Sequence, residues 1–228
     1  MMIRLVVFDF SGVIADRSLG DAYFEKEFAK FLRRNGAGNR DANRAWKGIP
    51  ERIHRGRMTM ADGRKIFLRR LGLPLTLLSE YRKIDNESWR RVKLSEKSVA
   101  GTLSKLREDG VRLAVLSDTL YGSRNLRKMS RMLGIGDRID ALYVSAEMGL
   151  KKPHRRTYAT VLAAFKVRPE ETLYVAHDDD ELVGARRLGI RTVSYRGDKN
   201  ADYRISRFSD IAEIVRALND RGSTERLR

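Results

Sequence analysis

The 228-residue sequence contains no cysteine, which rules out a disulfide-stapled scaffold, a thiolate nucleophile and any zinc–thiolate site. No stretch approaches the ~18 consecutive apolar residues that a membrane span requires. The opening Met1-Met2-Ile3-Arg4 runs straight into a patterned apolar segment, without the n-region and cleavage site of a signal peptide. A soluble, cytoplasmic protein with no membrane partner is therefore expected. Internal repeats and low-complexity tracts are also absent. Acidic residues are scarce, 30 against 47 Lys plus Arg, leaving a formal net charge of +17. That excess attracts anionic ligands without naming one. The basic residues are spread along the chain rather than gathered in a tail, so an Arg-rich composition on solvated faces explains them better than a dedicated nucleic-acid surface. What the chain does have is apolar material, 42% of residues, enough for a substantial core and against wholesale disorder.

Five short segments rich in β-branched residues read as buried strands, over residues 3–8, 111–116, 141–144, 172–176 and 190–195. Helical patterns separate them. Val99, Leu103 and Leu106 recur at helical spacing between Ser95, a predicted N-cap, and Gly110. Leu126, Met129 and Leu133 mark a second helix ending at Gly134. A third opens at Pro153 and continues through Tyr158, Leu162 and Phe165. Leu182, Ala185 and Leu188 precede Gly189, and residues 211–218 close the chain as a helix. Strands alternating with helices imply a parallel sheet covered on both faces. Residues 16–92 break the alternation with helical patterns alone, at 19–34, 41–55, 60–71 and 75–91. Such an insertion exceeds an ordinary crossover and predicts a second, all-α domain. The expected division is 1–15 with 93–220 as the α/β domain, 16–92 as the helical one and 221–228 as a frayed tail.

In open parallel sheets, ligands bind beyond the carboxyl ends of the strands, near the reversal of strand order. Those positions hold Asp9-Phe10-Ser11-Gly12, Ser117-Asp118-Thr119, Lys151-Lys152-Pro153 and His177-Asp178-Asp179-Asp180-Glu181. Each alone reads more simply as turn, cap or surface sequence. Together and in this order they resemble the haloacid dehalogenase (HAD) superfamily, most of whose members are phosphatases. Val7 to Ile14 resembles the first motif, Val115-Leu116-Ser117 the second, and Gly149 to Pro153 with Tyr158 the third, selecting Lys152 over Lys151. Tyr174 to Asp178, with Glu181 to Ala185 and Gly189, follows the frame of the fourth. The resemblance covers essentially the whole chain and implies a Rossmann-like, three-layer α/β/α core with a helical cap.

It also implies a chemistry. Asp9 would attack phosphorus to give an acyl phosphate, Ser117 would hydrogen-bond a non-bridging phosphoryl oxygen and Lys152 would neutralise charge. Mg²⁺ would sit on Asp9, the Ser11 carbonyl and Asp178, with Glu181 in support. The expected substrate is a small anionic phosphorylated compound, compatible with the 19 basic against 10 acidic residues of segment 16–92. Arg17 and Arg52 are candidate contacts. Tyr23, Phe24, Phe28, Phe31 and Phe67 fall at helical spacings and read as core. His54 and His154 are expected on solvated helix surfaces.

Two positions depart from the phosphatase pattern. Ser11 stands where a general-acid Asp is usual, so alkoxide leaving groups should depart slowly, and acyl, aryl or pyrophosphate substrates need less help. Ala176 and His177 stand where the fourth motif carries Gly-Asp. Neutral imidazole is a poor Mg²⁺ ligand, which leaves Asp178 to reach the ion. Two alternatives follow: a 2-haloacid dehalogenase using Asp9 on carbon without metal, and a non-catalytic polyanion-binding protein.

Overall fold

The computed structural model describes residues 2–197 and 200–224. Its centre is a six-stranded, all-parallel sheet. In chain order the strands of the molecule are β1 (Leu5–Phe8), β2 (Ala15–Asp16), β3 (Lys93–Leu94), β4 (Arg112–Ser117), β5 (Ala141–Val144), β6 (Thr172–Ala176), β7 (Arg191–Tyr195) and β8 (Tyr203–Ile205). The large sheet runs β5-β4-β1-β6-β7-β8, while β2 and β3 pair antiparallel by themselves. The five expected strands are present. The sixth, β8, is a three-residue edge strand too short to leave a pattern in the sequence.

The pleat sorts β1 between two cores. Val6 and Phe8 face a cluster with Leu103, Leu126 and Ile211. Leu5 and Val7 face the opposite one, with Tyr158, Leu162, Leu182 and Ala185. All four strand residues are buried, each contributing roughly 1.5–3 kcal/mol. A one-residue slip would exchange both sets, so the register of β1 against β4 and β6 is tightly specified.

Between β2 and β3 lie five helices: α1 (Ser18–Arg34), α2 (Asn39–Trp46), α3 (Ile49–His54), α4 (Met60–Arg70) and α5 (Leu78–Trp89). They surround their own apolar cluster of Phe31, Leu32, Ile49, Ile53, Phe67, Leu68 and Tyr81. The helix expected over 41–55 is broken in two, because Gly48 at φ +78° cannot continue a right-handed helix. Phe24 and Phe28 join the cluster from its margin. Tyr23 does not; its half-buried ring lies under the Arg91 guanidinium, 3.7 Å from its centroid.

The α/β part supplies α6 (Val99–Glu108), α7 (Ser123–Met132), α8 (Ser145–Met148), α9 (Arg155–Phe165), α10 (Asp179–Arg186) and α11 (Asp210–Thr224). Two expectations at helix starts are corrected. Ser95 is not the cap of α6: its N–H donates to Ile14 O (2.9 Å) and its hydroxyl to Val13 O (2.5 Å), which ties the end of the insertion to its beginning. Pro153 does not open α9, which starts at Arg155 behind His154. His154 therefore has a task, its ring nitrogen accepting from Arg156 N (3.2 Å). Of the expected frayed tail, residues 221–224 belong to α11, and 225–228 lie outside the described residues. Among the described residues no helix is long and apolar enough to cross a membrane.

Candidate active site

The order of the sheet reverses at β1, whose neighbours β4 and β6 come from different stretches of the chain. Asp9 is the first residue beyond β1. Its N–H still donates to Val175 O at 2.9 Å, so the ladder runs one residue past the strand and fixes where the carboxylate emerges. The chain then turns sharply. Ile14 N and Ala15 N both donate to Phe10 O, and Gly12 N donates to Ala15 O. Gly12 sits at φ +78°.

Asp9 (7% exposed) and Lys152 (3%) are both buried. Lys152 Nζ donates to Asp9 Oδ1 at 2.7 Å and to Glu181 Oε2 at 2.9 Å. Burial pulls the Lys152 ammonium down, but Asp9 and Glu181 together outweigh it and hold the group above its ordinary 10.5. Glu181 is pushed up to about 7 by burial, against the opposing pull of Lys152. Its Oε2 also accepts from Tyr174 OH (2.7 Å), and its backbone carbonyl accepts from Tyr158 OH (2.8 Å). Both phenols are raised by burial and then by the nearby Glu181 carboxylate. Ser117, the last residue of β4, is buried beside them at the same sheet edge. Asp118 accepts from Lys152 N (3.3 Å) and is raised chiefly by burial. It joins Ser11, Arg17, Ser117, Trp89 and Tyr121 around a cavity of about 220 Å³ between the sheet edge and the insertion.

The structure thus brings Asp9, Ser117 and Lys152 to one edge, and puts the Ser11 backbone beside Asp9. It does not assemble the expected magnesium set. Asp178 turns back to cap α10, its Oδ1 accepting from Asp180 N (3.0 Å) and Glu181 N (3.3 Å). Glu181 is held by Lys152 and Tyr174 rather than supporting Asp178. The Ser11 carbonyl is engaged by His177 Nε2 at 3.0 Å, and the same nitrogen lies 3.7 Å from Asp9 Oδ2. Among the described residues no group of three or more His, Asp or Glu side chains is arranged to hold a metal ion. Hard oxygen ligands are what Mg²⁺ requires. Here two of the expected oxygens face an imidazole nitrogen and the third is used in a helix cap, so the donor set does not fit the ion.

Arg17, one expected contact, lines the cavity while paired with Asp21 at 3.0 Å. Arg52 is exposed on α3. His54 is not on a solvated surface: its Nδ1 meets Ser145 Oγ at 2.8 Å, and that hydroxyl also accepts from Thr119 N (3.0 Å). The ring thereby connects the insertion to the loop after β4, and burial pulls it below its ordinary 6.5.

A carboxylate, a serine and a buried ammonium at the switch point, in this chain order, agree with the match of residues 3–189 to the haloacid dehalogenase-like hydrolases. The chain belongs to that family. Glyceraldehyde 3-phosphate phosphatase of Methanocaldococcus jannaschii is 32% identical over 126 residues, 51% of this chain and 54% of that protein. Phosphoserine phosphatase of Thermus thermophilus is 31% identical over 121 residues, 50% and 47% of the two chains. The chain thus spans about half the length of these relatives. A 2-haloacid dehalogenase from Pseudomonas syringae pv. tomato superposes with a TM-score of 0.71 at 19% identity, covering 95% of this chain and 100% of the other. The HAD fold therefore extends across both the sheet and the helical insertion.

The sequence reading missed how Glu181 is used. It was expected to support Asp178, but the nearby Tyr174, inward-facing on β6, was the available sign of a buried hydrogen-bonded carboxylate.

Proposed function

We propose that this HAD-like hydrolase cleaves small phosphorylated compounds through a phospho-Asp9 intermediate, with Ser117 and Lys152 holding the phosphoryl group and helices α1–α5 serving as the cap. The observation that carries the reading is the buried 2.7 Å contact between Lys152 Nζ and Asp9 Oδ1. It holds a nucleophilic oxygen against a permanent positive charge at the mouth of β1. The phosphatases matched over half their lengths favour phosphorus as the atom attacked.

In the first step an Asp9 oxygen forms a bond to phosphorus as the P–O bond to the leaving group breaks. That group departs with the bonding electrons and takes a proton from water. In the second step water attacks the aspartyl phosphate, releasing phosphate and restoring Asp9. Lys152 and the Ser117 hydroxyl stabilise charge developing on the non-bridging oxygens. Ser11 offers no strong acid, so acyl, aryl and pyrophosphate substrates are favoured over alkyl esters. Lys152 shares its charge with Glu181, which further favours substrates needing little compensation. The cap excludes water and, through Arg17 at the cavity wall, meets an anionic substrate. A cytoplasmic setting suits this substrate class.

The second reading is attack by Asp9 on the halogen-bearing carbon of a 2-haloacid. His177 against the Ser11 carbonyl favours it, because displacement at carbon needs no divalent cation. One panel separates the two: acetyl phosphate, p-nitrophenyl phosphate, alkyl phosphates and 2-haloacids, each with wild type and Asp9→Asn. Phosphate release by wild type that Asp9→Asn abolishes is expected. Halide release alone would replace the phosphatase reading with the dehalogenase. Undiminished turnover by Asp9→Asn would remove Asp9 from either scheme.

A further inference from the structure

We propose that the His177 side chain occupies the cation position of this active site, so that the chain does not bind Mg²⁺ between the loops that follow β1 and β6. The inference rests on the site at Asp9 described above, but not on which substrate it turns over.

Four observations converge. A carbonyl oxygen only accepts hydrogen bonds, so at 3.0 Å from Ser11 O the Nε2 of His177 carries the hydrogen and has no lone pair for a metal. The same nitrogen lies 3.7 Å from Asp9 Oδ2, so the ring stands against both of the oxygens expected of that loop. The loop after β1 is shaped to admit the ring: a Cβ on Gly12 would lie 2.3 Å from both Cδ2 and Nε2 of His177. The two other carboxylates expected around the ion are engaged elsewhere, Glu181 with Lys152 and Asp178 Oδ1 with the first turn of α10. The ring is 44% exposed on its outer side, and its inner edge sits in a notch that only glycine leaves open. Here the protein supplies from its own chain the electropositive group that faces Asp9.

The arrangement makes His177→Asp informative. A carboxylate at this position would point hard oxygen toward Asp9 Oδ2 and the freed Ser11 carbonyl, creating an oxygen donor set where there was an N–H donor. The test is metal binding, not turnover. Mg²⁺ is titrated calorimetrically, and Mn²⁺ is followed by loss of its free-ion electron paramagnetic resonance signal, for wild type and His177→Asp. Wild type should show no site tighter than millimolar, and the variant should bind at least tenfold more tightly. Submillimolar binding by wild type, or a folded variant with no gain, would overturn the proposal.

If the variant does not fold, the wild-type ring itself reports. The chain has three histidines, so the His177 resonances can be assigned by elimination against His54→Gln and His154→Gln. An Nε2–H tautomer unbroadened by Mn²⁺ is expected. Broadening confined to His177 at submillimolar Mn²⁺ would refute the assignment. A protein silent on every substrate in the panel would still give these binding results, so failure of the catalytic reading and failure of this one are distinguishable.

Discussion

Replacing Glu181 by Gln should change how stability depends on pH, in a direction set by burial. The carboxyl is raised from 4.5 to about 7 in the folded chain. The native state therefore holds its proton where the unfolded chain has released it, and stability falls as pH rises through that interval. At ~1.4 kcal/mol per pKa unit, the wild type loses about 3 kcal/mol from this group between pH 4.5 and pH 8. Lys152, held above 10.5 by Asp9 and Glu181, stays charged throughout and adds nothing to the slope. The introduced amide does not titrate. Its oxygen can still accept from Lys152 and Tyr174, so the variant removes the ionisation while keeping the shape. Urea unfolding of both proteins at pH 5 and pH 8 isolates the difference, because every other titrating group is shared. Relative to wild type, Glu181→Gln should be more stable at pH 8 than at pH 5 by about 2.5 kcal/mol. An offset that is the same at both pH values would show that the carboxyl is not held neutral by burial, and the account of the Lys152 triad would fail with it.

Two other substitutions test separate parts of the molecule. Ser11→Asp places a carboxyl where the leaving-group acid is missing. It should raise turnover of alkyl phosphates about tenfold or more while changing acetyl phosphate hydrolysis little; steady-state rates showing equal gains on both would contradict the leaving-group explanation. Arg64→Met removes the cation that hydrogen-bonds buried Asp85, whose other oxygen accepts from Tyr121 OH at 2.5 Å. The loss, read from urea unfolding, should be about 3 kcal/mol, and a loss below ~1 kcal/mol would mean that this cluster between insertion and sheet is not stabilising the fold.

The sheet was readable because its strands are short, apolar on both faces and separated by helices, a pattern few other architectures produce. Asp9, Ser117 and Lys152 were readable for a related reason: each follows directly on a strand or on the loop leaving one, so topology alone delivers it to the same edge. Side chains that reach across space were not. The sequence cannot say that Asp178 spends its carboxylate on its own helix, since an acidic run before a helix fits cap and ligand equally well. Nor can it say that His177 bends toward Ser11, which depends on the empty space over Gly12. Gly48 split a helix because one backbone angle overrode an otherwise continuous apolar pattern. His54 met Ser145 through the packing of α3 on α8, a contact between residues 91 positions apart.

The ribbon of β2 and β3 has a topological consequence. Asp16 and Lys93 are paired directly opposite one another, so the polypeptide leaves and rejoins the sheet-bearing part at neighbouring points. A two-residue reverse turn can span that gap, so the sheet's own connectivity does not depend on how many residues lie between them. None of the residues that form the ladders of the large sheet lies between those two positions, so a change in the length or make-up of the helical segment alters what stands over Asp9 without altering the strand order beneath it.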